Sequence, residues 1–396
     1  PRHLYEMAGL RICLRGDTVV VSPDEVHIPG YVVLEGERVV SVSADPPQDI
    51  EVALSSAWIL PGMVDIHTHG HGGAEDVLDF WTNPQFTTNR MARLGTTSVL
   101  ASVLFCQTHP EQLANVLASL KDVIGKSGHG AVVEGIHAEG PLLRDLGAAP
   151  ATDTSMSVET FEAVLDQLGP ELRVMTIAPS LDAPKEYHRI KALLRRGVVA
   201  ALGHDNQATV EEVAGALRLA KPDERMHVTH VFNVCRFHHR DCGLANVALL
   251  PEFPALPMYD GAVPPTVEVI GDHCHVAPTA LHLLLCARSH SDICFVSDSI
   301  AAPEPNKVLK YAGREMQVDA EGRAVVVGGG GPLSGSCVTL LEVLRTLVSV
   351  HKIPVPAAVG MCSTNPARVA KLDGVGSLVP GNRANLLLLD VDLRLL

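Results

Sequence analysis

Through the middle of the chain, short apolar and β-branched runs alternate with stretches whose apolar positions recur every three or four residues. Eight of the runs read as strands, at 63–69, 97–103, 132–139, 173–178, 198–204, 227–231, 267–276 and 293–298. Helical patterns separate most of them, including 111–124, 158–168, 186–196, 210–219 and 278–287. Thr209 followed by Glu212 is a capping-box signature at the start of the fourth of these helices. Eight strands alternating with helices predict a (β/α)8 barrel of parallel strands with insertions. An open doubly wound sheet is the other arrangement that such alternation allows.

The two chain ends read differently. Residues 1–58 carry no helical period, only β-like runs at 10–14, 18–21, 31–34 and 39–42. After the turn Pro380-Gly381-Asn382 comes one more, at 385–389. The pattern predicts a small β-sandwich built from 1–58 and 376–396, around a barrel spanning 59–375. Gly328–Gly331 reads as a turn or loop.

Candidate chemistry collects at the strand ends. The first barrel strand closes with Asp65-Ile66-His67-Thr68-His69. Alternation puts Asp65, His67 and His69 on one face and sends Val64 and Ile66 toward the helices. Alone, two such histidines are a weak metal signal. The pattern recurs, however: strand three ends at His137-Ala138-Glu139, strand five at Gly203-His204, strand six at Thr229-His230 and strand eight at Ser297-Asp298. The carboxyl ends of the strands are where barrel enzymes build their sites, whereas stray histidines such as His188 and His282 fall in helices. The set predicts a divalent metal centre. His67 and His69 would hold one ion, His204 and His230 a second, and Glu139 would bridge them. Imidazole with carboxylate suits Zn²⁺, and Fe²⁺, Mn²⁺ or Co²⁺ accept the same ligands. Asp298 reads either as a general base for the attacking water or as an orienter of a ligand histidine.

Composition narrows the rest. The 396 residues are 46% hydrophobic and 19% charged, enough for a sizeable core. A net charge of -14 argues against sequence-independent nucleic-acid binding, and no apolar run approaches the roughly 20 residues of a membrane span. The nine cysteines include no CxxC pair, which predicts unpaired thiols in a reducing compartment, the cytoplasm by default. GxSxG, Walker A and GxGxxG motifs are absent from the sequence.

The motifs as an ordered set resemble a known family. Residues 61–70, PGMVDIHTHG, are similar to the opening signature of the amidohydrolase superfamily. HAEGP at 137–141 resembles the HLEGP of N-acetylglucosamine-6-phosphate deacetylases, and 203–205 resembles their GHS. THVFN at 229–233 resembles THLFN, DHCHV at 272–276 resembles DGxHV, and VSDS at 296–299 resembles VTDA. LSGS at 333–336 and the closing segment 376–390 also match. The resemblance implies hydrolysis of the acetamide of N-acetylglucosamine 6-phosphate. It implies metal binding by Glu139, His204 and His230, with Asp298 as acid and base. One or two ions per chain follow, and the HxH at 67–69 favours two. Asn233 and Arg240 would bind the phosphate, Arg240 across a homodimer interface. His275 would contact the sugar or its phosphate, and Val234 and Leu333 would line the pocket.

The match breaks at four places. A histidine that contacts the acetyl group in the family is matched by Ala149, which offers no side-chain donor. Asn-Ala-Met becomes Asn233-Val234-Cys235, the glycine of DGxH becomes His273, and Ala-Pro-Glu becomes Ala178-Pro179-Ser180. Two alternatives follow: an amidohydrolase for another N-acyl or cyclic amide, and a non-catalytic scaffold.

Overall fold

The two β-like runs at the start of the chain are one strand, β1 (Arg11–Ser22), since the polar residues between them stay in the ladder. It is followed by β2 (Glu25–His27), β3 (Gly30–Glu35), β4 (Arg38–Ser43) and β5 (Val52–Pro61). This computed structural model describes residues 11–71, 80, 83–105, 111–126, 128, 130–300, 308–311, 314–320, 323–327 and 333–396. The glycine run at 328–331 and the first ten residues lie outside them.

All eight barrel strands form where the apolar runs placed them: β6 (Met63–Thr68), β7 (Thr96–Leu104), β8 (Val132–Glu139), β9 (Leu172–Ile177), β10 (Val199–Leu202), β11 (His227–Val228), β12 (Thr266–Ile270) and β13 (Ile293–Val296). They pair in parallel and in sequence order from β6 to β13. The circuit is closed between β13 and β6 by single hydrogen bonds, from Asp298 N to His67 O at 2.8 Å and from His69 N to Ser299 O at 2.9 Å. This closed order excludes the open doubly wound sheet.

Helices cover the outside. Phe161, Ile190, Leu217, Leu284 and Leu344 pack on outward residues of the strands such as Ile136, Met175 and Val267. The capping box holds at the helix Val210–Leu217, where Glu212 N donates to Thr209 Oγ1 at 3.2 Å and Thr209 N to Glu212 Oε2 at 2.9 Å. Inside the barrel, Val64 and Ile66 pack with Leu100, Val174, Ala201, Ile270 and Val296. This corrects their expected direction toward the helices. Register shifts at Met63/Val64 and between Asp65 and Thr68 break the simple alternation of β6. Asp65 therefore leaves the expected face. Its carboxylate accepts from the backbone N–H of His67 and of Ser297, each at 3.3 Å, across the β6–β13 seam. Burial raises its pKa to about 7.

After β13 the chain adds a three-stranded antiparallel sheet, β14 (Val308–Tyr311), β15 (Arg314–Val318) and β16 (Ala324–Val326). Met316, Val318 and Ala324 pack with Leu143, Ala149 and Ile300, so this insertion walls the barrel mouth. The last strand, β17 (Leu386–Leu389), pairs antiparallel with β5. Both chain ends thereby share one sheet, ordered β17-β5-β1-β3-β4 with β2 on β1. Its own core includes Leu14, Val19, Val32, Ile59 and Leu378. Among the described residues the cysteines are unpaired, and no helix is long and apolar enough to cross a membrane.

Residues 363–375 plug the lower end of the barrel. Ser363 Oγ donates to Gly62 O at 2.6 Å. Asn365 Nδ2 donates to the carbonyls of His290 and Ile293, each at 2.8 Å, and Ala367, Ala370 and Val375 join the interior core. Replacing Asn365 with Ala strands two carbonyls beside a 5% exposed residue. The expected cost is about 2 kcal/mol, seen as a lower denaturant midpoint at unchanged slope. An unaltered midpoint would remove the plug from the account of stability.

Candidate metal centre

The strands stop early at the barrel mouth because their last functional residues leave the extended conformation. His204 has φ 53°, His230 φ 23° and Asp298 φ 45°. Left-handed backbone in a non-glycine residue costs on the order of 1–3 kcal/mol and persists where surroundings over-determine it. Here each is held. His204 Nδ1 donates to Asp145 O at 2.8 Å, and its own carbonyl accepts from Arg144 N and Asp145 N. His230 N donates to Glu268 Oε1 at 3.0 Å. Asp298 N is tied to His67 O by the seam bond.

These turns aim the side chains at Glu139, the last residue of β8. His204 Nε2 lies 2.7 Å from Glu139 Oε1 and His230 Nε2 3.4 Å from it. His69 Nε2 lies 3.3 Å from Glu139 Oε2, and His67 Nε2 3.8 Å from Oε1. Asp298 Oδ1 stands 3.3 Å from His69 Nε2 and 3.6 Å from His67 Nε2. All six residues are at most 6% exposed. Burial would raise the Glu139 carboxyl, but the surrounding imidazoles of His204, His230, His67 and His69 outweigh it and hold it well below the ordinary range. Asp298 is likewise lowered: burial opposes ionisation, and His67 and His69 prevail.

This donor set fits a divalent ion. His67, His69 and Glu139 form one group, and Glu139, His204 and His230 another, with ligand atoms in each within 4.8 Å of one another. His67 Nε2 is buried with no hydrogen-bond partner, and the Nε2 atoms of His204 and His230 face each other at 3.1 Å. A buried donor atom facing an anionic cluster without a bond is unfavourable unless something else binds there.

Beneath the cluster lies a residue that the motif reading passed over. Glu268, fully buried on β12, accepts from His67 Nδ1 at 2.6 Å and from His227 Nε2 at 3.2 Å, besides His230 N. It thus fixes the His67 tautomer with Nε2 turned to the site. The available signal was a carboxylate in the middle of an apolar run, Thr266-Val267-Glu268-Val269-Ile270. His137 is satisfied on both nitrogens, by Ile66 O at 2.8 Å and Thr176 Oγ1 at 2.9 Å. Burial and then His67 push it to about 3, so it is a neutral strut.

The pocket above the cluster is lined by His69, Glu139, His204, His230 and Asp298 together with Asn233, Val234, His275, Leu333 and Ala149. His67 sits below them, fully buried. Arg240 is outside this lining: it lies on an exposed loop, its backbone N–H donating to His238 Nδ1 at 3.4 Å. Two departures from the motif pattern meet. Asp205 accepts from the backbone N–H of Ser180 at 2.8 Å, and from Gln207 and Ala208. A glutamate at 180 would bring a second negative charge beside this carboxylate, which is already raised by burial.

The sequence profile of the amidohydrolase family matches residues 58–395. The chain belongs to the amidohydrolase family. The family is metal-dependent, in keeping with the His/Glu clusters. This amidohydrolase is 28% identical over 392 residues to an N-acetylglucosamine-6-phosphate deacetylase of Bacillus subtilis, covering 95% of this chain and 92% of that protein. It is 29% identical over 367 residues to an N-acetylgalactosamine-6-phosphate deacetylase of Escherichia coli, covering 88% of each. A solved structure of a mutant N-acetyl-D-glucosamine-6-phosphate deacetylase from Mycobacterium smegmatis, in complex with N-acetyl-D-glucosamine 6-phosphate, superposes with a TM-score of 0.81 at 27% identity, covering 98% of this chain and 97% of that one.

Glu268→Gln keeps the shape but weakens the acceptor behind His67. Chelator competition should show metal affinity reduced about 10–100-fold. Parental affinity would mean that His67 does not depend on Glu268.

Proposed function

We propose that this amidohydrolase removes the acetyl group of N-acetyl-D-glucosamine 6-phosphate, giving D-glucosamine 6-phosphate and acetate in amino-sugar catabolism. The observation that carries the reading is the convergence of His69, Glu139, His204, His230 and Asp298 with Asn233 and His275 in one pocket. Relatives of that activity align over nearly the whole chain. The metal ligands are His67, His69, Glu139, His204 and His230, the ion is Zn²⁺, and the HxH pair supports two ions per chain. A divalent ion held there supplies a lowered water pKa and a polarised amide carbonyl.

The chain's own residues do the rest. Asp298, ionised and aimed at the centre of the cluster, takes the proton of the attacking water. It then delivers that proton to the amide nitrogen, so that the amine leaves and the tetrahedral adduct does not revert. Glu268 holds the His67 imidazole and the His230 backbone in place meanwhile. Asn233 and His275 bind the phosphosugar, with Val234 and Leu333 along the wall. His275 is fixed by its Nδ1 bond to Asp272 at 2.7 Å. Arg240 meets the phosphate of the neighbouring subunit in a homodimer, which accounts for its position outside its own pocket. Ala149, buried against an apolar wall, gives no hydrogen bond to the acyl group. A second reading, another N-acyl amide as substrate, rests on that residue. The cytoplasm is the proposed location, the compartment in which unpaired thiols such as those of the described residues are usual.

Acetate release is expected from N-acetylglucosamine 6-phosphate and not from N-acetylglucosamine. N-acetylgalactosamine 6-phosphate and longer N-acyl sugars complete the panel, and faster turnover of any of these would move the substrate assignment to it. Asp298→Asn should bind metal normally and lose nearly all turnover, and retained activity would sink its role. Arg240→Ala should raise KM for the phosphorylated sugar. If Arg240 acts across the dimer, mixed assembly of Arg240→Ala with Asp298→Asn chains restores part of the activity, since one site then keeps both groups. No recovery on mixing would return Arg240 to its own chain.

A further inference from the structure

A second imidazole cluster stands outside the pocket, on the loop that follows β12. Asp272 shapes that loop: its carboxylate accepts from Cys274 N at 2.9 Å and His275 N at 2.8 Å, besides His275 Nδ1. The turn leaves His273 in left-handed backbone, φ 60°, a conformation natural to glycine and strained for a bulky residue. Its side chain reaches His351, which follows the helix Leu340–Ser349 and is 8% exposed. The two Nε2 atoms are 2.9 Å apart. His282, exposed on the helix Pro278–Ala287, stacks on His351 with centroids 5.8 Å apart and planes at 17°. Three separate elements thus bring three imidazoles together.

Charge explains what the cluster lacks. Among the described residues, none of the three makes an ion pair with a carboxylate, unlike the histidines of the pocket. Burial, then His273 and His282, lower His351, so its ring presents a lone pair at neutral pH. Two imidazole nitrogens bound tetrahedrally to one ion, each at about 2.0–2.1 Å, stand about 3.3 Å apart, a few tenths of an ångström more than the 2.9 Å present here.

We propose that His273 and His351 clip a divalent cation of the imidazole-preferring class, Zn²⁺, Ni²⁺ or Cu²⁺, with water filling the remaining positions and the His282 ring stacked alongside His351. The clip fastens the loop holding Asp272 and His275 to the end of the helix Leu340–Ser349. It is a structural site, separate from the ions beneath the pocket, and it stands whichever amide is the substrate.

The test is equilibrium dialysis of the metal-loaded enzyme against Zn²⁺, with metal per chain counted for parent, His273→Gly and His351→Ala. His273→Gly removes a ligand while giving the left-handed position its natural residue, so this variant folds at least as stably as the parent without added metal. One more Zn²⁺ per chain is expected in the parent than in either variant, together with a Zn²⁺-dependent rise in Tm that both variants lose. Exposed histidines such as His238 and His239 bind alike in all three proteins and cancel in the difference. Equal Zn²⁺ in the parent and either variant would overturn the site and leave a neutral hydrogen bond between two rings.

Discussion

Four imidazole nitrogens lie within 3.8 Å of the single buried carboxylate of Glu139, and much of the barrel answers to that convergence. Removing a carboxylate from water is expensive unless it is paired and its remaining lone pairs are used. Glu139 meets that condition with partners from three other strand ends. Those partners in turn need support from behind, which Glu268 supplies to His67 and the carbonyl of Asp145 to His204, while Thr176 and the carbonyl of Ile66 hold the neighbouring His137. The polar layer is therefore two residues deep, enclosed below by the apolar interior of Val64, Leu100, Val174 and Val296.

The convergence also dictates the backbone. A β-strand presents its side chains perpendicular to the sheet, which cannot by itself bring residues from β10, β11 and β13 to one point. The chain bends into left-handed conformation at His204, His230 and Asp298 instead. The seam between β6 and β13 is completed by one of these, Asp298, so the hydrogen bonds that close the barrel are the ones that set Asp298 against His67. Folding and site assembly are here one event, and strain at the mouth is sustained by packing elsewhere.

Much of this was legible in the chain. Parallel strands covered on both faces read as continuous apolar runs, and all eight appear at their expected places. The site was visible because residues of one chemistry recur at one end of those strands. The direction of β6 was not legible, since two register shifts invert the alternation that Asp65, Val64 and Ile66 were read by. Glu268 hid because a single carboxylate in an apolar run forms no motif. The β14–β16 insertion lay in a segment read only for its glycines. The contact between His273 and His351 spans 78 positions and is made by the fold alone. Arg240 shows the opposite case: the family resemblance marks it, while the structure places it on an exposed loop outside the pocket lining.

The pairing of β17 with β5 has a consequence for biosynthesis. β5 leads through Gly62 directly into the strand that carries His67, and Gly62 N donates to Asn385 O at 2.9 Å. Until residues 386–389 have left the ribosome, one edge of β5 has no neighbour, and an open strand edge is a template for pairing with other chains. The nascent polypeptide thus completes every barrel strand while this sheet is still unsealed. Emergence of β17, rather than completion of any barrel strand, is the moment at which that edge is closed.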